Sequence, residues 1–217
     1  MICGPVFCSW VRISHCYWYE LVKTIYVVSH TESEHHLSDL VGGWYDSELT
    51  EKGISDANAI AEILGSEGKV DTIFSSDLKR ASTTAECISK IVYAPVIVNS
   101  SLREMSFGEA EGKEQTWLDK RIKPEDGDNR LDHRIVTGAE TKREFAGRIF
   151  KYLDSIELPD CSVISTHSFA ATYVIAWWVG MSLESVGYVN FGVKPGKITK
   201  LVEDDFFKNR AVAYLNQ

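Results

Sequence analysis

Short β-branched runs alternate along this chain with longer stretches whose apolar residues recur every three or four positions. Thr24 to Ser29 reads as a buried strand. A polar loop carrying Gly42-Gly43 follows. Thr50 then opens a helix with Ile54, Ala57, Ile60, Ala61 and Leu64 on one stripe and Gly65 near its end. Val70 to Phe74 predicts a second strand, Leu78 to Ile88 a second helix and Val96 to Val98 a third strand. Residues 105–139 are less regular, broken by Gly108, Gly112, Gly127 and Gly138. The pattern returns with a helix from Glu140 to Ile156, whose Phe145, Ile149, Tyr152, Leu153 and Ile156 keep helical spacing. Ser162 to Thr166 is a fourth strand, Phe169 to Val179 an apolar helix, and Lys197 to Val202 and Ala211 to Leu215 are late strands. This order predicts an α/β sandwich around a mostly parallel sheet. Such sheets bind ligands at the carboxyl ends of their strands.

Residues 1–23 stand apart. They hold Cys3, Cys8 and Cys16 with Trp10 and Trp18, and Pro5, Ser9, Arg12, Ser14 and His15 break up the apolar run that a signal peptide needs. They are expected to form an extension packed on the domain, or translated upstream sequence, with 24–217 as one domain. The whole chain of 217 residues is 44% hydrophobic and 25% charged, which excludes a disordered, collagen-like or disulfide-stapled protein. No apolar run approaches the ~20 residues that span a bilayer. A formal charge of −8 argues against duplex nucleic acid or an anionic membrane as a partner. Five cysteines without a CxxC pair suit a reducing compartment, so a cytoplasmic location is expected.

Two histidines change the picture. His30 directly follows the first strand and His167 the fourth, where such a sheet builds its site. Arg80 falls in the first turn of the helix after the second strand, and a guanidinium fork suits phosphate oxygens. Glu104 follows the third strand and brings a carboxylate to the same rim. Two imidazoles, a guanidinium and a carboxylate suggest phosphoryl transfer, with a nucleophile, a clamp and a proton donor.

These residues lie in five segments: Val28-Ser29-His30-Thr31-Glu32; Gly43 to Gly53; Ser75 to Ala85; Leu102 to Gly112; and Ser165-Thr166-His167-Ser168. In their content and order, over Thr24 to about Val202, the chain resembles the histidine phosphatase superfamily, the phosphoglycerate-mutase-like proteins. That resemblance implies a three-layer α/β/α sandwich with a mostly parallel sheet. It implies a phosphomonoester hydrolase with His30 as phospho-accepting nucleophile, Glu104 as proton donor, and Arg80 and His167 clamping the phosphate, His167 as an imidazolium. It further implies a small phosphorylated metabolite as substrate and no metal or organic cofactor.

The chain also departs from the family pattern. Ser29 stands where the family has the arginine of its Arg-His-Gly motif, Thr31 replaces the glycine after it, and Ser168 replaces a glycine common after the second histidine. His36 stands where an asparagine or serine often helps hold phosphate. These four are the candidate substrate-binding positions. Loss of one oriented donor at an anion site costs on the order of 10²–10³ in rate. A catalytically impaired member that binds a phosphorylated ligand or protein is therefore the alternative to a phosphatase. A phosphoglycerate mutase is the second alternative, although the body is short for one.

Other signals carry less. His30, His35 and His36 with Glu32 and Glu34 fit no familiar zinc spacing. Gly108 to Lys113 is one residue short of a phosphate-binding loop, and Ser76 to Lys79 has no partner motifs of a penicillin-binding enzyme. Trp177-Trp178 is expected in the core. Glu140, Lys142, Arg143 and Glu144 are expected on a solvated helix face. Lys113, Trp117, Arg121 and Lys123 are candidates to meet a phosphorylated ligand, with a solvated surface as the simpler role.

Overall fold

The computed structural model describes residues 21–217 other than 126 and 128, and only the backbone of 21 and 22. In chain order the elements are β1 (Leu21–Ser29), α1 (Glu34–Leu37), α2 (Glu51–Glu67), β2 (Thr72–Ser75), α3 (Lys79–Val92) and β3 (Val96–Val98). Then come α4 (Gln115–Asp119), α5 (Lys142–Ser155), β4 (Cys161–Thr166), α6 (Ser168–Trp178), β5 (Ile198–Asp204) and β6 (Arg210–Tyr214). The six strands form one sheet in the order β3-β2-β4-β1-β5-β6. β3, β2, β4 and β1 run parallel, β5 is antiparallel to β1, and β6 to β5.

Alternation along β1 builds both faces. Ile25 and Val27 join the core formed with Phe145, Ile149 and Leu153 of α5 and Val174 and Ile175 of α6. Tyr26 and Val28 point the other way, to Ile60, Ala61 and Leu64 of α2 and Ala85 and Ile88 of α3. Helices therefore cover both faces of a sheet buried at its centre, the expected three layers. A smaller cluster of Val41, Ala110, Leu118, Val136 and Ala139 gives the irregular 105–139 segment a core of its own.

Local chemistry sets the boundaries. Thr50 caps α2 by accepting from the Gly53 amide at 2.9 Å. Thr141 and Glu144 form a reciprocal capping box at the start of α5. The strand expected from Thr24 begins at Leu21, because pairing with β5 continues to Lys23↔Glu203 and Leu21↔Asp204. The last three positions of the expected 1–23 extension thus belong to the sheet, and the remainder lies outside the described residues. Trp178 is buried in the core as expected, whereas Trp177 is only partly buried and donates to Asp154 Oδ1 at 2.7 Å. No helix among the described residues is long and apolar enough to cross a membrane.

The expected solvated face at the start of α5 holds for Glu144, which is exposed, and is corrected for Glu140 and Lys142, which are partly buried. Glu140 accepts from the Ser106 amide and from Arg148, and the Lys142 ammonium reaches Glu125 Oε1 at 2.6 Å. These charges hold the 105–139 segment to the helix.

Candidate active site

Register carries the two histidines together. Ser29 is the partner of Thr166 across the β1–β4 pair, so the next residues, His30 and His167, leave the sheet side by side. The His30 amide donates to the Thr166 carbonyl at 2.9 Å, and the two imidazoles meet edge to face, 5.0 Å between ring centres. Both are buried. On the other flank, the Gly196 amide donates to the Ser29 and His30 carbonyls at 3.1 and 3.0 Å.

The tautomer of His30 follows from its partners. Nδ1 lies 2.8 Å from the carbonyl oxygen of Thr31, an acceptor only, so Nδ1 carries the proton and donates. Nε2 is left with a lone pair, and the Arg80 Nε–H is directed at it over 3.2 Å. Burial, with Arg80 close by, pushes the His30 pKa well below its ordinary value. A neutral imidazole with a free Nε2 lone pair is a nucleophile.

Arg80 enters from the first turn of α3 and is buried. Its two Nη groups donate to the carbonyls of Tyr45 and Gly43 at 2.7 and 2.6 Å. Burial lowers its pKa only to about 10, so the guanidinium stays charged at neutral pH.

Glu104 sits against the N-terminus of α6. Its Oε2 accepts from the Phe169 amide at 3.1 Å, and Oε1 from Ala170 at 3.1 Å and Met105 at 2.9 Å. Burial raises its pKa, while these amides, Arg80 and Arg148 oppose the rise. The turn that presents Glu104 is held from behind. Arg148 of α5 donates to the carbonyls of Ser101, Arg103 and Glu104 at 2.9, 2.9 and 2.7 Å, and Trp44 Nε1 to that of Glu104 at 2.8 Å. Arg103 is paired through two nitrogens with Asp77 and faces the Trp44 ring.

The substrate-binding candidates divide. The Ser29 and Ser168 hydroxyls hydrogen-bond each other at 2.9 Å. Thr31 turns its hydroxyl away, to the Gly53 carbonyl at 2.7 Å, and contributes its own carbonyl to His30. His36 is exposed on α1, and its ring stacks on His30 with centres 5.5 Å apart. His35, missed as a buried group, lies behind it with Nδ1 2.6 Å from Ser47 Oγ, and burial pushes its pKa down to about 3.

His167 differs from expectation. Burial, then Arg80 and His30, push its pKa well below the ordinary value, so it is neutral at neutral pH rather than an imidazolium. Lys113 and Arg121 face the Trp117 ring at 3.8 and 4.2 Å, and Lys123 is exposed. Among the described residues, no group of three or more His, Cys, Asp and Glu is arranged to hold a metal ion. A cleft of about 560 Å³ adjoins His36, and a pocket of about 300 Å³ lies between Ser168, Phe169, Asn190, Gly192 and Val193. Arg148, Trp44 and the carbonyls that hold Arg80 were not legible in the sequence, since each contact is made to or by backbone groups far along the chain.

Residues 25–211 match the histidine phosphatase superfamily (branch 1). The chain belongs to that superfamily. Among its histidine phosphatase relatives, a Hydrogenobacter thermophilus protein named "Putative phosphoserine phosphatase 2" is 31% identical over 180 residues, 76% of this chain and 83% of that protein. A 2,3-bisphosphoglycerate-dependent phosphoglycerate mutase of Xanthobacter autotrophicus is 32% identical over 145 residues, 63% of this chain and 69% of its own. In three dimensions the chain is similar to the α-ribazole phosphatase of Shigella flexneri, with TM-score 0.74, 25% identity, and coverage of 89% of this chain and 96% of that one.

Proposed function

We propose that this histidine phosphatase superfamily member hydrolyses a small phosphomonoester through a phosphohistidine on His30. The observation that carries the reading is the pinned tautomer, with Nδ1–H on the Thr31 carbonyl, the Nε2 lone pair facing Arg80, and the His167 ring 5.0 Å away. In the first step Nε2 attacks phosphorus, the P–O bond to the alcohol breaks, and the Glu104 carboxylic acid gives its proton to the departing oxygen. In the second step the Glu104 carboxylate takes a proton from water, the new hydroxide attacks phosphorus, and the P–Nε2 bond breaks to release phosphate. The raised pKa of Glu104 favours the acid that the first step needs. Arg80 moves its Nε–H from Nε2 to a phosphoryl oxygen as substrate arrives, its Nη groups still anchored.

In-line displacement sends the leaving group away from His30, toward Glu104. The pocket of about 300 Å³ beside the Phe169 amide is the place for its alcohol. The names of the relatives supply the first substrates to try: O-phosphoserine, phosphoglycerates and α-ribazole phosphate. Phosphate release from this set, lost in His30→Ala, with acid-labile phosphate trapped on the wild-type protein, is the expected result.

Ser29 favours a second reading, a phosphate binder without turnover. Its hydroxyl satisfies that of Ser168 and brings no positive charge to the phosphoryl group. No turnover in the native protein, with activity appearing in Ser29→Arg, decides for the binder.

A further inference from the structure

His167 Nδ1 is buried and has no hydrogen-bond partner, while its other nitrogen, Nε2, lies 2.9 Å from the hydroxyl of Ser76, itself fully buried. Ser76 leaves the end of β2, where its amide donates to the Ser165 carbonyl on the adjacent strand. Its hydroxyl also accepts from the Leu78 amide at 3.3 Å. A hydroxyl has one proton to give. If His167 Nε2–H donated to Ser76, the hydroxyl proton of Ser76 would have no acceptor, and Nδ1 would keep a bare lone pair, which repels an anion. If Ser76 donates to Nε2, the proton is satisfied, and the one group left over is an Nδ1–H donor.

We propose that Ser76 is a positioning residue that fixes His167 as its Nδ1–H tautomer and so supplies a neutral N–H donor for a phosphoryl oxygen. The inference rests on the phosphate-binding role proposed for this site. It explains how a buried, uncharged imidazole contributes to an anion clamp. Four groups act on its charge: Arg80 of α3, Arg148 of α5, His30 beyond β1 and His35 of α1. All four disfavour a second proton on His167, which makes the choice of tautomer the remaining variable.

The test uses full-length protein with ¹⁵N-labelled imidazoles, His167→Ala to assign the signals, and inorganic phosphate and vanadate as probes. Nitrogen shifts should report Nδ1–H at His167 in the wild type, and that proton should move when vanadate is added. Ser76→Ala should mix the tautomers and weaken vanadate binding about tenfold, the size of one hydrogen bond, while Ser76→Thr restores both. If substrate is turned over, the Ser76→Ala defect should persist unchanged in form from pH 6 to 8, because no charge is being titrated. An Nε2–H tautomer in the wild type overturns the proposal, as does unaltered vanadate affinity in folded Ser76→Ala. Neither readout needs turnover, so an inactive protein would sink the phosphatase reading and leave this one standing or falling on its own. Should Ser76→Ala fail to fold, the wild-type tautomer alone decides.

Discussion

In the proposed reaction Glu104 has two tasks that ask for opposite environments, since a proton donor must be protonated on arrival and ionised afterwards. Its surroundings set burial against three amides and two guanidiniums. Glu104→Gln keeps the hydrogen-bonding shape and removes the transferable proton. Hydrolysis of alkyl phosphates should fall by about 10²–10⁴. p-Nitrophenyl phosphate, whose phenolate leaves unaided, should suffer much less, and comparing the two substrates in steady-state assays checks this. Arg148→Met should lower turnover as well without touching substrate, because the carbonyls of Ser101 and Arg103 lose their Arg148 donor and that of Glu104 keeps only Trp44. His30, Arg80, Glu104 and His167 stand out as candidates in the sequence because each follows a strand at the edge where α/β sheets bind ligands. Arg148 does not, because its role depends on where α5 lies against the 3₁₀ turn Ser100–Leu102, which no local pattern encodes. The charge of His167 was misjudged for a related reason: sequence shows an imidazole beside a phosphate motif, and only packing shows how little water reaches it.

At the scale of elements, periodicity makes β1, α2 and α5 legible, while the short run of β3 and the apolar stretch of α6 are legible from composition alone. Alternating β1 and the stripes of α2 and α5 are physical consequences of having one or two faces to bury. The four-residue α1 and the 3₁₀ turns are too short to show a period, and β1 was extended to Leu21 by its pairing with β5. Gly53 illustrates what a stripe does not reveal. A Cβ there would lie 2.0 Å from the Glu32 carbonyl oxygen, where the loop after His30 crosses the first turn of α2. Gly53→Ala should therefore destabilise by about 1–3 kcal/mol and displace the Thr31 hydroxyl from the Gly53 carbonyl. Denaturant unfolding, with turnover measured on the folded fraction, reads both effects. Phe145→Ala removes a buried ring that packs edge to face on Tyr173 and lies under Arg148. A loss of about 3–5 kcal/mol is expected.

Over the whole molecule, the site leaves a mark on stability. His30, His35 and His167 are buried with pKa values held below 6.5, so they stay neutral where the unfolded chain takes up protons. The unfolded state then binds more protons, and stability falls as pH drops below about 6.5, by up to about 1.4 kcal/mol per pH unit for each histidine. Exposed His36 adds less, because water screens it. Glu104 acts in the opposite sense: its raised pKa favours folding at low pH, and that contribution is lost as pH rises through the folded value. Three imidazoles outweigh one carboxyl, so the Tm should decline between pH 6.5 and 5. His35→Asn should flatten the decline by about one third, a change that calorimetry resolves.

The Gly196 amide, which closes on the carbonyls of Ser29 and His30, has a consequence for how this protein is made. The strand that leads into His30 is translated early, yet both its neighbours in the sheet, β4 and β5, are translated more than 130 residues later. A ribosome-bound chain therefore carries His30 through most of its synthesis with no partner strand on either side. The proposed chemistry then waits until the turn before β5 has emerged, and a nascent chain halted before Gly196 should be inert toward phosphate esters even with all four proposed catalytic side chains already translated.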